Sequence, residues 1–181
     1  MNSDDFEVRN LQTGDIVLER VKFHPDTLPG WLPPITRFVT SCYYNHAWIP
    51  VKNKIHNCGS KGVEVHSLDW GIGKEVCVLR PIHRLSQEER ARYIEYADSI
   101  VGYKYDYFNT LFCQLIRYIT FKKIWLGKKG KSAEKVLNCS EHATTPIHHV
   151  RGWFPNKYEV SPEDVYHTPG YYVIRFEGIL K

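Results

Sequence analysis

Leu137-Asn138-Cys139-Ser140-Glu141-His142-Ala143 decides how the rest of the chain is read. Asn138 is a good helix N-cap, because its side-chain oxygen can accept a free amide of the first turn. Cys139 then takes the first helical position, where unpaired N–H groups and the positive end of the helix dipole favour a thiolate. Pro146 is expected to kink or end this helix about two turns in. The helix is polar, carrying His142, Thr144, Thr145, His148 and His149. On this stretch alone, a small buried thiol without chemistry is the commoner fate of a cysteine.

Working outward, Lys122 to Lys135 holds six lysines and two glycines and reads as a mobile, solvated loop. Before it, Tyr105-Asp106-Tyr107 opens a helix expected to run to about Arg117. Ser86-Gln87-Glu88-Glu89 is a capping box, so another helix starts near residue 87. Tyr93, Ile94, Ala97 and Ile100 form its core stripe, and Gly102 is its expected C-cap. Short strands come earlier: Ile16 to Leu18, His46 to Val51, Ile55 to Cys58, Val63 to His66 and Val76 to Arg80. Lys52-Asn53-Lys54 and Gly59 to Gly62 are the turns between them. Pro50 suggests an edge strand or a bulge. The last four of these strands read as a meander. Residues 24 to 34 form a proline-rich loop around Trp31, followed by a short helix from Ile35 to Thr40. After the cysteine helix, Ser161-Pro162-Glu163-Asp164 is a further helix start, and Tyr171 to Phe176 a final strand. Helices segregated from an antiparallel sheet make the fold class α+β, in a single domain spanning 1–181.

Composition narrows the function. The 181 residues are 43% apolar and 14% aromatic, which is globular. The net charge of +4 does not by itself imply nucleic acid, and no specific nucleic-acid partner is expected. Five cysteines, at 42, 58, 77, 113 and 139, form no CxxC pair. That excludes a zinc knuckle and a thioredoxin motif and suits free thiols in a reducing compartment. With no signal sequence at the acidic N-terminus and no apolar run of about 20 residues, a cytoplasmic protein without a membrane span is expected.

A thiol hydrolase needs a nucleophile, a base and a group that orients the base. Cys139 is the candidate nucleophile. His46 begins a strand after Tyr43-Tyr44-Asn45, and His56 stands on the partner strand. Two histidines on adjacent strands can face one side, so one ring can hold the other through an N–H···N bond. Either histidine alone is more simply a surface or core residue; together with Cys139 they make a candidate triad.

The ordered set Gly14-Asp15-Ile16, Thr40-Ser41-Cys42-Tyr43-Tyr44-Asn45-His46, Lys54-Ile55-His56-Asn57, Gly102-Tyr103-Lys104-Tyr105-Asp106 and Asn138-Cys139-Ser140-Glu141 resembles the circularly permuted branch of the NlpC-type papain-like cysteine peptidases, the YiiX-like group. The lecithin retinol acyltransferase-like enzymes are relatives of that group. The resemblance covers roughly residues 11 to 170. It implies a permuted papain-like fold, an antiparallel sheet or partial barrel packed against helices, in which the histidine strand precedes the cysteine helix. It further implies Cys139 as nucleophile, His46 as general base, His56 as third polar residue and Tyr44 near the oxyanion. Asn45 and Ser140 join Tyr44 in the oxyanion and substrate-binding set. The chain departs from the pattern at Cys42 and Asn45, where the family has serine, and at His56, where many members have glutamate.

The resulting expectation is a cysteine hydrolase, without cofactor or metal, that cleaves an amide, peptide or isopeptide bond through an acyl-thioester. The alternatives are a lipid-directed acyltransferase or thioesterase on the same scaffold, and a non-catalytic binding module. For the lipid reading, the Trp31 loop, the apolar 107–121 segment and the lysine loop would meet a membrane surface peripherally. The substrate is thus a small peptide, an amide or an acyl lipid. The sequence does not fix the oligomeric state. A metal site of Cys58, His56 and Cys139 is the most distant alternative.

Overall fold

A computed structural model describes residues 6–22, 43–107, 135–154, 160–168 and 170–181, together with 116 and 120. Six strands form one antiparallel sheet: β1 (Ile16–Glu19), β2 (His46–Val51), β3 (Lys54–Gly59), β4 (Gly62–Ser67), β5 (Glu75–Pro81) and, later in the chain, β8 (Tyr172–Ile179). Their order across the sheet is β4-β3-β2-β1-β5-β8, and the described strands do not close into a barrel. The fold is α+β. Only β2, β3 and β4 run as a meander; β5 crosses to the far side of β1, where the expected four-strand meander would have placed it next to β4.

Alternation along the strands gives each face of the sheet its own large cluster, and a smaller third one gathers Cys58, Val63, Ile100 and Leu137. Ile16, Leu18, Ala47, Ile49, Cys77 and Leu79 face helices α1 (Gln87–Ser99) and α2 (Cys139–Arg151), meeting Tyr93, Ala97, Ala143 and Ile147. Val17, Trp48, Ile55, Val76, Val78 and Phe176 pack on the other face with Phe6 and Leu180. Strand β2 is internal, so Pro50 does not mark an edge. Pairing between β1 and β2 spans only His46–Trp48, which leaves one side of β2 without a ladder at Pro50, where a residue lacking N–H is tolerated.

The Ser86–Glu89 capping box starts α1 as expected, but the helix ends at Ser99 and Gly102 lies in the turn beyond. Lys104–Tyr105 is β6, a short strand parallel to β7 (Val136–Leu137), so the helix expected from Tyr105 opens two residues later: Tyr107 is helical, and so is Ile116. The residues of that helix between Tyr107 and Ile116, the Trp31 loop, the Ile35–Thr40 helix, Cys42, Cys113 and nearly all of the lysine loop lie outside the described residues.

Strand β7 delivers the chain to Asn138. The β6–β7 pair is held against β4 where Val63 N–H donates to Tyr103 O (2.8 Å). Gly62 is required there: its φ is 102°, and a Cβ would lie 2.2 Å from the Tyr103 carbonyl oxygen. At the other end of α2, Arg151 makes two bonds to the Glu89 carboxylate (2.9 and 2.8 Å) and so ties the last turn of α2 to the first turn of α1. Helix α3 (Pro162–Tyr166) opens with the expected Ser161–Asp164 capping box.

Candidate active site

Local chemistry places Cys139 where the sequence suggests. Asn138 Oδ1 accepts from Glu141 N–H (2.9 Å), and Glu141 Oε2 accepts from Asn138 N–H (3.0 Å). This reciprocal box fixes the helix start one residue before the cysteine. The helix does not stop at Pro146. It runs to Arg151 and ends at Gly152, which is left-handed at φ 68°. Its polar residues divide: His142, Thr144 and Thr145 are buried, with the Thr144 hydroxyl bonding back to Ser140 O (2.8 Å), while His148 is half-buried and His149 exposed.

Three side chains converge at this helix start. His46 Nε2 lies 2.6 Å from Asn57 Oδ1, an acceptor, so Nε2 carries the proton and Nδ1 is the nitrogen left for Cys139. The His46 ring and the Cys139 thiol lie close enough that each favours the charged form of the other. The β2–β3 ladder runs from Val51–Lys54 to Trp48–Asn57. Just past its end, the Ala47 N–H and the Ser140 hydroxyl lie near Cys139 and favour its thiolate, and the hydroxyl has no hydrogen-bond partner among the described residues.

Electrostatics follow from these contacts. Burial would raise the Cys139 pKa, but the nearby ring and positive charge of His46, then the Ala47 N–H and the Ser140 hydroxyl, bring it below the usual thiol value. Burial would likewise lower the His46 pKa. The nearby Cys139 thiol and its charge, the Glu19 carboxylate and the Asn57 bond instead raise it to about 9. Glu19 is the cross-strand partner of His46 and is itself held by Trp48 Nε1 (3.0 Å) and Lys74 Nζ (2.8 Å). Thiolate and imidazolium therefore stabilise each other. Cys58, also buried, donates to Leu137 O (3.2 Å) and has no such partner; burial pushes its thiol well up.

Of the residues expected at the site, the fold brings Cys139, His46 and Ser140 together and leaves His56, Tyr44 and Asn45 apart. His56 does not touch His46. Its Nε2 lies 3.5 Å from Asp98 on α1, and its Nδ1 is without a partner among the described residues. The cause is register. A three-residue turn at 52–54 would set His56 on the His46 face; the actual turn has two residues, Lys52-Asn53, with Lys52 left-handed at φ 56°. His56 is consequently opposite Ile49, and Asn57, opposite Trp48, shares the face of His46. Tyr44 donates to Glu177 Oε1 (3.1 Å), away from the thiol. Asn45 clamps the chain after β1, accepting from Val21 N–H (2.8 Å) and donating to Val21 O (3.1 Å).

The chain matches no protein-family model and no curated protein. The site therefore rests on its own geometry. Among the described residues no three His, Cys, Asp or Glu side chains converge as metal ligands would, so Cys58, His56 and Cys139 do not form such a set. No helix among them is long and apolar enough to cross a membrane.

Proposed function

We propose that the protein is a cysteine hydrolase on a circularly permuted papain-like scaffold, cleaving an amide, peptide or isopeptide bond. The observation that carries this reading is the Cys139–His46–Asn57 relay, with the thiol at a capped helix start and the ring held at 2.6 Å by an amide oxygen. A buried cysteine with no chemistry needs none of these partners, and Cys58 shows how such a thiol is kept. Cysteine, histidine and asparagine in these roles are a recognised variant of the nucleophile–base–orienter unit.

The steps follow from the atoms present. The Cys139 thiolate attacks the carbonyl carbon, and the C=O pair moves onto oxygen. The N–H groups of the first helical turn, which have no intrahelical acceptor, stabilise that oxyanion. His46 Nδ1–H protonates the departing amine as the C–N bond breaks, leaving an acyl-thioester and a neutral imidazole. Water then attacks the thioester while His46 takes its proton. The C–S bond breaks, the acid leaves and the thiolate–imidazolium pair is restored. Asn57 keeps the ring in the tautomer that presents Nδ1 throughout.

The same intermediate would serve acyl transfer to a lipid acceptor, but the stretches that suggested a lipid surface lie mainly outside the described residues. Incubation with a panel of peptide amides and with phospholipid vesicles, followed by acid quench and mass spectrometry, tests both. The expected result is an acyl adduct on Cys139 that hydroxylamine releases, formed from an amide substrate. No adduct from any donor, or an adduct on another residue, would overturn the assignment. An adduct formed from vesicles alone would establish the lipid reading in its place.

A further inference from the structure

A cavity of about 420 Å³ opens at the same end of the sheet as His46, lined by Tyr43, Tyr44, Glu75, Tyr166, His167 and Glu177. Its volume is that of a small-molecule site. Four of its rings form a continuous wall: Tyr43 and Tyr44 are edge-on at 5.2 Å, Tyr44 and Tyr166 tilted at 5.9 Å, Tyr166 and His167 edge-on at 5.1 Å.

The charges in the wall differ from one side to the other. Glu75 is matched by Arg20, whose guanidinium lies 3.3 Å from the carboxylate and 4.4 Å from the centroid of the Tyr43 ring. One half of the wall thus already combines a carboxylate, a tyrosine face and a cation, and the cation is the protein's own. Glu177 repeats the arrangement without a cation. Its carboxylate accepts from the Tyr44 hydroxyl (3.1 Å) and the Tyr166 hydroxyl (3.3 Å), and no described basic side chain pairs with it. Two O–H donors fix the carboxylate without neutralising it. Tyrosine faces attract cations through their quadrupoles, and aromatic walls with an acid are how organic ammonium groups are held.

We infer that this cavity binds an organic ammonium group, held by Glu177 and the faces of Tyr44 and Tyr166. On the cysteine-hydrolase reading, on which this step rests, the ammonium is the far end of the substrate. From β2 to β8 is three inter-strand steps of about 4.8 Å each, so the ammonium lies roughly 10–15 Å from the carbonyl under attack. The substrate class is then an amide with a cationic tail, either a protonated primary amine or a quaternary ammonium.

Binding can be tested without turnover, in the Cys139→Ala variant. Isothermal titration with choline, with n-butylamine at pH 7 and with 3,3-dimethylbutan-1-ol compares a quaternary ammonium, a primary ammonium and a neutral analogue of the choline shape. At least one ammonium should bind ten times or more tightly than the neutral alcohol, and the stronger of the two identifies the source. Glu177→Gln should remove that preference, and Tyr166→Ala should weaken it. Glu177 is on the exposed side of β8, so circular dichroism of its variant should match the parent. Equal binding of all three probes, no binding, or an ammonium preference that survives Glu177→Gln would overturn the site. The result is independent of the hydrolase reading: an ammonium preference together with absent acyl-enzyme would leave the cavity assigned and remove the chemistry.

Discussion

His46 and His142 are buried around the same helix start, and burial has opposite outcomes for them. His46 has a thiol on one nitrogen, an amide oxygen on the other and a carboxylate across the strand, and its pKa rises to about 9. His142, three residues after Cys139, is fully buried with neither nitrogen bonded to any described residue, and burial, with the charges of His56 and His46, lowers its pKa to about 3. Desolvation disfavours charge in both rings. What separates them is whether partners for the charged form were supplied. One ring is kept as a cation for chemistry, and the other is kept neutral as a filler of space. The two cysteines repeat the contrast, with Cys139 lowered by its partners and Cys58 raised without them.

The largest effect that would break this contrast is on turnover. Cys139→Ala should abolish it, and His46→Ala should lower it by on the order of 10²–10⁴-fold, the range of general acid–base catalysis. His142→Leu should leave it within a few-fold. Loss of turnover on His142→Leu, with folding intact, would mean that the unpartnered ring is the working one.

A smaller effect separates neighbours on β3. The His46–Asn57 bond involves a charged ring, so its loss should cost about 1.5–3 kcal/mol, roughly 10–100-fold in kcat/KM. Asn57→Ala should show that loss, and the alkaline limb of the rate profile should move below 9, because one source of the raised His46 pKa is gone. His56→Ala should reduce stability through the cavity it leaves, with turnover per folded molecule unchanged. The reverse pattern would restore His56 as the orienting residue.

The smallest effect concerns acid stability. A histidine whose pKa is lower in the fold than in the unfolded chain binds fewer protons when folded. Its neutral form is tolerated in full above about 6.5, and stability drops as pH falls from there toward 3, by up to about 1.4 kcal/mol per pH unit. His142→Leu should flatten that slope in urea unfolding measured between pH 7 and pH 4. It should cost little at pH 7, since it removes two buried nitrogens that lack partners among the described residues. An unchanged slope would show that His142 is hydrated or bonded in solution.

What could be read from the sequence follows the range of each interaction. The Asn138, Ser86 and Ser161 caps are set by residues three apart, and all three helix starts are where those residues place them. Strand existence at β1 to β5 is likewise local, in short apolar runs such as Ile16–Leu18 and in the alternation of Val63–His66. Strand register is not local. One residue of turn length at Lys52-Asn53 decides whether His56 or Asn57 faces His46, and a lysine in the left-handed region carries no marker that distinguishes the two. The β5 crossover is a tertiary outcome of the same kind, since β1 offers an edge that no local pattern announces. Glu19 could be picked out only after the β1–β2 register was known. Pro146 was misleading because a buried helix with a packed second half tolerates the lost bond.

The thiolate–imidazolium pair itself is most directly tested by the pH dependence of alkylation at each cysteine, followed by peptide mass spectrometry with iodoacetamide from pH 4 to pH 10. Cys139 should be modified fastest of the cysteines at pH 7. Its rate should hold on the acid side of the ordinary thiol midpoint of about 8.5, and in His46→Ala that midpoint should move up. Cys58, buried and bonded to Leu137 O, serves as the internal reference and should remain slow at every pH. A Cys139 midpoint at or above 8.5 that does not respond to His46→Ala would contradict the pair, and with it the catalytic role of the helix start.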